Sequence, residues 1–182
     1  MTHTQELLRT PFHAYHVDQG AKMVDFAGWD MPLHYGSIIE EHNQVRGSGG
    51  LFDVSHMGRL RFKGKDACRF LDHICTRQIH GMAEGQIRYS LICKEDGGCL
   101  DDVLVYCEGD ANYSMVCNGA NREKIWNHIQ DNKDGYVCKI KDETDATAMI
   151  AVQGPKVIEL FSSFSSEVPT LKRYRFVTKN LR

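Results

Sequence analysis

Asp101 and Asp102 stand side by side in the segment Gly97-Gly98-Cys99-Leu100-Asp101-Asp102. Paired carboxylates suit general acid–base chemistry or the stabilisation of a developing cation. The residues from Leu100 to Tyr106 read as a β-strand, so the two acids point to opposite faces. Asp102 then shares a face with Leu100, Leu104 and Tyr106, and Asp101 with Val103 and Val105. Only one of the two can line a given cavity. Spacing alone favours the solvated edge of a strand, entered through a Gly-Gly turn, over a catalytic pair.

A second concentration of chemistry runs over residues 23–59. It opens with Met-Val-Asp-Phe-Ala-Gly-Trp-Asp-Met-Pro-Leu-His-Tyr-Gly and closes with Phe52-Asp53-Val54-Ser55-His56-Met57. Aromatic, Gly, Pro, Asp and His residues crowd together here without clean periodicity. Such a composition suits a wall around a flat, polar-edged ligand, because pockets are mostly apolar with a few placed polar groups. Ser55 and His56 are neighbours on an extended segment and face opposite ways, which is poor geometry for a nucleophile pair. We read both as structural. His13 with His16, and His34 with His42, lack Cys or acidic partners at ligand spacing, so no metal site is expected. The seven cysteines are odd in number and form no Cys-x-x-Cys pair, so they are expected to be reduced structural thiols.

These residues need a globular frame. The chain has 182 residues, 42% hydrophobic and 25% charged, in the range of a folded domain rather than a disordered one. A net charge of -2 argues against a nucleic-acid binder. No apolar run approaches the ~20 residues of a membrane span. The first nine residues resemble neither a signal peptide nor a transit peptide, and the expected location is the cytoplasm.

Residues 1–20 show a weak helical tendency ending at Gly20. Ser37 with Glu40 forms a capping box that opens a helix to about Arg46, broken by Gly47-Ser48-Gly49-Gly50. A strand near 57–63 leads into a helix with Asp66 at its start and Ala67, Phe70, Leu71, Ile74 and Cys75 on one face. Residues 87–118 read as three strands, with a loop over 108–112. Asn121 is expected to cap a helix burying Ile125, Trp126 and Ile129, followed by a strand over 136–141. Strand, Gly, helix recurs at 60–76 and 150–161, but the second copy has only residues 174–181 left to complete it. The expected organisation is an N-terminal segment (1–56), a first antiparallel α+β unit (57–145) and the start of a second (146–182). The fold class is therefore α+β, antiparallel sheets with flanking helices, the first ferredoxin-like unit complete and the second unfinished.

Six pieces of the chain, in order and spacing, resemble the aminomethyltransferase (T-protein) family of the glycine cleavage system. They are Met23-Val24-Asp25-Phe26 with Gly28-Trp29 and Met31-Pro32; Phe52-Asp53-Val54-Ser55-His56-Met57; Tyr89-Ser90; Gly97-Gly98-Cys99-Leu100-Asp101-Asp102; Asn118-Gly119-Ala120-Asn121; and Ala151-Val152-Gln153-Gly154-Pro155. The chain departs from the family at Arg77, where Asn is frequent, and at Gln86, where a basic residue is frequent. Family members are also far longer and continue into a Thr-Gly-Tyr-Thr-Gly-Glu motif, so this chain resembles an N-terminal fragment.

The resemblance implies the folate-binding aminomethyltransferase fold and one-carbon transfer from aminomethyl-dihydrolipoyl H-protein to tetrahydrofolate, with release of ammonia. It puts Asp102 in the catalytic place, beside the reacting nitrogens of tetrahydrofolate. Met57, Tyr89, Tyr106 and Asn118 become candidates for the cofactor wall, since aromatic and thioether surfaces suit the faces of a pterin and an amide suits its edge. Each has a plain alternative: core packing for Met57 and Tyr89, a strand position for Tyr106, a loop or cap position for Asn118. The implied partners are the lipoyl-bearing H-protein and the folate itself, with no nucleic acid and no membrane. The competing readings are a folate-binding or scaffold module without chemistry and a related folate-dependent demethylase.

Overall fold

The structure, a computed structural model, describes residues 6–179. The expectations placed on residues 1–5 and 180–182 lie outside these. In chain order the elements are α1 (His13–Asp18), β1 (Lys22–Phe26), β2 (Trp29–His34), α2 (Ile38–Gly47), β3 (Gly50–Asp53), β4 (Gly58–Lys63), α3 (Ala67–Ile74), β5 (Ile87–Cys93), β6 (Cys99–Gly109), β7 (Asn112–Cys117), α4 (Arg122–Asn132), β8 (Lys139–Asp142), β9 (Ile150–Gln153) and α5 (Val157–Ser162). They divide into two compact units. The first runs to His56 and resumes over Asp145–Pro169; the second comprises Met57–Thr144 and resumes at Thr170.

In the first unit β1 and β2 form an antiparallel hairpin with Phe26 opposite Trp29. Its two-residue turn holds Ala27 at φ 53° and Gly28 at φ 82°, the left-handed pair that matches strand twist. The Asp25 carboxylate accepts the Gly28 N–H at 2.9 Å and fixes the turn. At the start of α2, Ser37 Oγ accepts the Glu40 N–H at 3.4 Å. Glu41 Oε1 accepts the N–H groups of the two residues before this cap, Tyr35 and Gly36, at 2.8 and 2.9 Å. β3 pairs antiparallel with β9, a long-range match the local pattern did not signal.

Several polar residues of this unit pair with one another. Asp53 accepts hydrogen bonds from Thr10 Oγ1 at 2.6 Å and from the Ser55 N–H at 2.9 Å, and lies 2.9 Å from His16 Nε2. His16 Nδ1 meets the Tyr35 hydroxyl at 2.6 Å, and His13 Nε2 meets Asp30 at 2.7 Å. Ser55 is fully buried and its hydroxyl exchanges hydrogen bonds with the Met149 backbone, a structural task. Among the described residues, no group of three or more His, Cys, Asp or Glu side chains is arranged to hold a metal ion.

The strand–Gly–helix recurrence is present in the backbone. Gly64 after β4 has φ 143° and Gly154 after β9 has φ 139°. Each carbonyl accepts the N–H that starts the following helix, Ala67 to Gly64 at 3.0 Å and Val157 to Gly154 at 3.3 Å. Beyond the helices the two copies diverge. Residues 174–176 lie along β5, through Ile87 N–H to Tyr174 O and Phe176 N–H to Gly85 O, both 2.9 Å. They therefore extend the second unit rather than complete the β9–α5 segment.

The second unit is a five-stranded sheet in the order β5-β6-β7-β4-β8, antiparallel throughout. The connections β4–α3–β5 and β7–α4–β8 carry its two helices, and β5 lies outside β6 at the sheet edge. One sheet face carries Leu60, Phe62, Ile92, Val103, Val105 and Met115, all essentially without exposure, and packs with Ala67, Phe70, Leu71 and Ile74 of α3 and Ile125 and Ile129 of α4. The helical face read from the sequence in α3 is thus the buried one. Trp126 is only partly buried. Tyr136 precedes β8 rather than opening it, because the backbone around it is spent in turns, Tyr136 N–H to Lys133 O at 3.2 Å and Cys138 N–H to Tyr136 O at 2.9 Å. Its ring packs on Phe70, 5.2 Å between centroids.

Two carboxylates tie stability to pH, one in each unit. Burial works against ionised Asp53, yet its bonds to His16, Ser55 and Thr10 hold its pKa below the ordinary value. Asp142 is likewise opposed by burial and held low by Arg122 and Thr144, with Arg122 Nε at 2.8 Å and Thr144 Oγ1 at 2.6 Å. A depressed folded-state pKa contributes stability that is present above the unfolded value of about 3.9 and lost as pH falls through the folded one. Amide exchange protection is therefore expected to decline below about pH 4. Asp142→Asn should remove the second unit's share of that decline while lowering its protection at neutral pH.

Candidate functional site

The site is built on the sheet face opposite the helices of the second unit. From Asp101 onward β6 alternates cleanly. Asp101, Val103, Val105 and Cys107 are buried on the helix side, whereas Asp102 is exposed and Leu104 and Tyr106 are half-buried. Leu100 departs from the expected alternation and is buried with Asp101. Its cause is a β-bulge: Ile92 pairs with Asp101 and Cys93 with Cys99, so Leu100 is the extra residue. Leu91 pairs with Asp102 and Tyr89 with Leu104, which puts Tyr89 diagonally beside Asp102 on the same face. The Tyr89 phenol is pushed above its ordinary pKa, first by desolvation and then by the adjacent Asp102 carboxylate.

Asn118 binds the two acids together. Its N–H and Nδ2 donate to Asp101 at 2.9 and 2.8 Å, and the same Nδ2 reaches Asp102 Oδ1 at 3.0 Å. Asn121 Nδ2 adds a further bond to Asp101 Oδ1 at 2.6 Å. The expected cap at Asn121 is not made by its side chain; the amide is spent on Asp101 instead. The buried Asp101 is thus an anchor that holds Asn118 in place, and Asn118 in turn steadies the exposed Asp102. Sequence reasoning missed this use of Asp101 and Asn121. Two asparagines three residues apart in Asn118-Gly119-Ala120-Asn121, around one tight turn, were the available signal.

Met57 lies one residue before β4. The β4–β7 register, Gly58 opposite Cys117, sets it level with Asn118. It is half-buried, and its carbonyl accepts Arg59 Nη1 at 2.7 Å. Tyr106 stands on Asp102's face but four residues further on, about 13 Å along the strand. It packs edge-on against Phe176 with centroids 5.4 Å apart, and burial raises its phenol pKa. The structure therefore gathers Met57, Tyr89, Asp102 and Asn118 at one end of the face and puts Tyr106 at the other. A ligand meeting all five has to be long. Phe176 and Tyr174, which the sequence pattern leaves in an unfinished strand, join this aromatic surface. Beyond Tyr106, Arg61 pairs with Glu108 and Glu143 and closes the face with charge.

In the first unit, residues of the aromatic stretch line a separate cleft of about 720 Å³, with Pro32, Leu33, Tyr35, Phe52 and Asp53 among its walls. No helix among the described residues is long and apolar enough to cross a membrane.

An antiparallel sheet with helices on one face and a supported carboxylate on the other defines an α+β domain. The model of the GCVT N-terminal domain matches residues 12–180, and the chain belongs to that family. It is 42% identical over 177 residues to the aminomethyltransferase of Halothermothrix orenii, covering 96% of this chain and 49% of that relative. It is 44% identical over 172 residues to the aminomethyltransferase of Rubrobacter xylanophilus, covering 94% and 46%. Among solved structures, the glycine cleavage system aminomethyltransferase T from Bartonella henselae superposes with a TM-score of 0.82 at 30% identity, over 86% of this chain and 43% of that one. The chain thus spans about half the length of the relatives it matches.

Proposed function

We propose that this domain carries the folate side of a tetrahydrofolate-dependent aminomethyl transfer, with aminomethyl-dihydrolipoyl H-protein as the one-carbon donor and ammonia as the released product. The observation that supports this most is the Asp101–Asn118–Asp102 arrangement, which presents one exposed carboxylate, held by an amide, beside a tyrosine face. Loss of the sulfur from the aminomethyl carbon develops an iminium cation. A fixed carboxylate beside that carbon lowers the barrier electrostatically, provided it is already oriented. Asn118 supplies the orientation, and Tyr89 and Met57 offer surfaces for a flat ring. In this reading Asp102 stabilises charge and positions the folate nitrogen, and Tyr106 meets the part of the ligand remote from the pterin. The relatives are about twice as long, and we assign to this domain only the share its own residues supply.

The test is calorimetric titration of 5-formyltetrahydrofolate into the 182-residue chain and into its Asp102→Ala variant. Losing a charge-assisted hydrogen bond costs about 1.5–3 kcal/mol, so affinity should fall by roughly ten- to a hundredfold. Equal affinities, or no binding by the unaltered chain, would remove Asp102 from the folate site.

A further inference from the structure

We infer that Cys93 and Cys99 form a dithiol site that peroxides convert reversibly to a cross-strand disulfide at the tip of the β5–β6 hairpin. The inference rests on register and exposure and is independent of the folate reading. Cys93 and Cys99 are direct partners across the antiparallel pair. The next pair toward the tip carries a ladder bond, Lys94 N–H to Gly98 O at 2.8 Å. Because hydrogen-bonded and non-hydrogen-bonded pairs alternate, Cys93–Cys99 is of the closer, non-hydrogen-bonded kind, with Cα atoms about 4.5 Å apart. That spacing falls at the near edge of the disulfide range of about 4.4–6.8 Å.

The other cysteines contrast with this pair. Cys75, Cys107 and Cys117 are buried, whereas Cys99 is exposed and Cys93 half-buried, and all seven are free thiols. Cys99 Sγ leans on the Asp101 carbonyl at 3.6 Å, a weak contact that a rotation about χ1 gives up. Cys99, the accessible thiol, attacks the peroxide as its thiolate. The O–O bond breaks, one oxygen leaves as water, and the sulfur becomes a sulfenic acid. Cys93 sulfur then attacks Cys99 sulfur, the S–O bond breaks, and the second oxygen leaves as water. Two thiols lose two electrons and two protons in all, and one peroxide is reduced to two waters. The closed loop is short, so the effect is local: the tip is locked three residues from Asp102.

Hydrogen peroxide is the probe, applied to the folded 182-residue chain, followed by alkylation of the remaining thiols and peptide mapping. The expected result is the loss of two of the seven titratable thiols, one crosslinked peptide joining Cys93 to Cys99, and full recovery with dithiothreitol. In Cys93→Ser the Cys99 sulfur should instead pass to the irreversible sulfinic acid. In Cys99→Ser, Cys93 should stay reduced. The same treatment in denaturant should scatter the pairings among all the cysteines, which separates a folded-state site from random oxidation. Sulfinic Cys99 beside reduced Cys93 in the unaltered chain would overturn the inference, as would a crosslink between two chains.

Discussion

Asp101→Ala is expected to destabilise the second unit by about 3–5 kcal/mol, the range for stripping one partner from a buried, charged hydrogen-bond network. Asp101 is 4% exposed and accepts three N–H donors, from the Asn118 backbone and the Asn118 and Asn121 amides. Alanine takes their acceptor from the Asn118 backbone N–H and the Asn121 amide, between the end of β7 and the start of α4, and leaves Asn118 Nδ2 only its bonds to Asp102. Amide hydrogen exchange is the appropriate readout, because it reports each unit separately. Protection along β6 and β7 should fall by at least a hundredfold, at about 1.4 kcal/mol per factor of ten. The neighbouring Asp102→Ala, on the exposed face, should change protection by no more than about 0.5 kcal/mol. Equal losses in the two variants would mean that the division of the acids between the faces carries no energetic weight.

Gly64→Ala should cost about 3 kcal/mol or more, the sum of a forbidden backbone angle and a clash with atoms that cannot move aside. At φ 143° no L side chain is comfortable, and an added Cβ would lie 2.4 Å from the Val137 carbonyl oxygen and 3.2 Å from Cys138 Cα. That backbone is pinned, since the Val137 N–H donates to Asp66 Oδ2 at 2.8 Å and its carbonyl accepts the Asp66 N–H at 3.3 Å. Gly81→Ala is the control. It shares a positive φ, 79°, but nothing lies within 4 Å of its added Cβ, so only the conformational penalty of about 1 kcal/mol remains. A urea midpoint for Gly64→Ala no lower than that of Gly81→Ala would refute the steric account.

The elements most legible in the sequence were those with a strong local period. The apolar spacing of α3 named its buried face correctly, and the alternation from Asp101 to Tyr106 placed the two acids on opposite sides. Less visible were features set by distant partners or by unusual turns. The β1–β2 hairpin turns on Ala27-Gly28, a poorer signal than Asn-Gly, because alanine tolerates a left-handed angle only when the surroundings demand it. The β3–β9 pairing joins segments far apart in the chain, and no local window reports such a match. Asn121 looked like a cap because helix starts favour Asn, yet a buried carboxylate within reach outcompeted the helix N–H groups. For the candidate site, residue types were readable while their grouping was not. Met57, Tyr89 and Asn118 converge on Asp102 only through the register of four strands, β4 to β7, and the separation of Tyr106 follows from the same register.

The extra residue at Leu100 resets the phase of β6. Without it, the cysteines at the hairpin tip and the acids in the strand body would obey a single even–odd rule. With it, the tip keeps its own parity. The choice of which carboxylate meets solvent is thereby left to the body of the sheet.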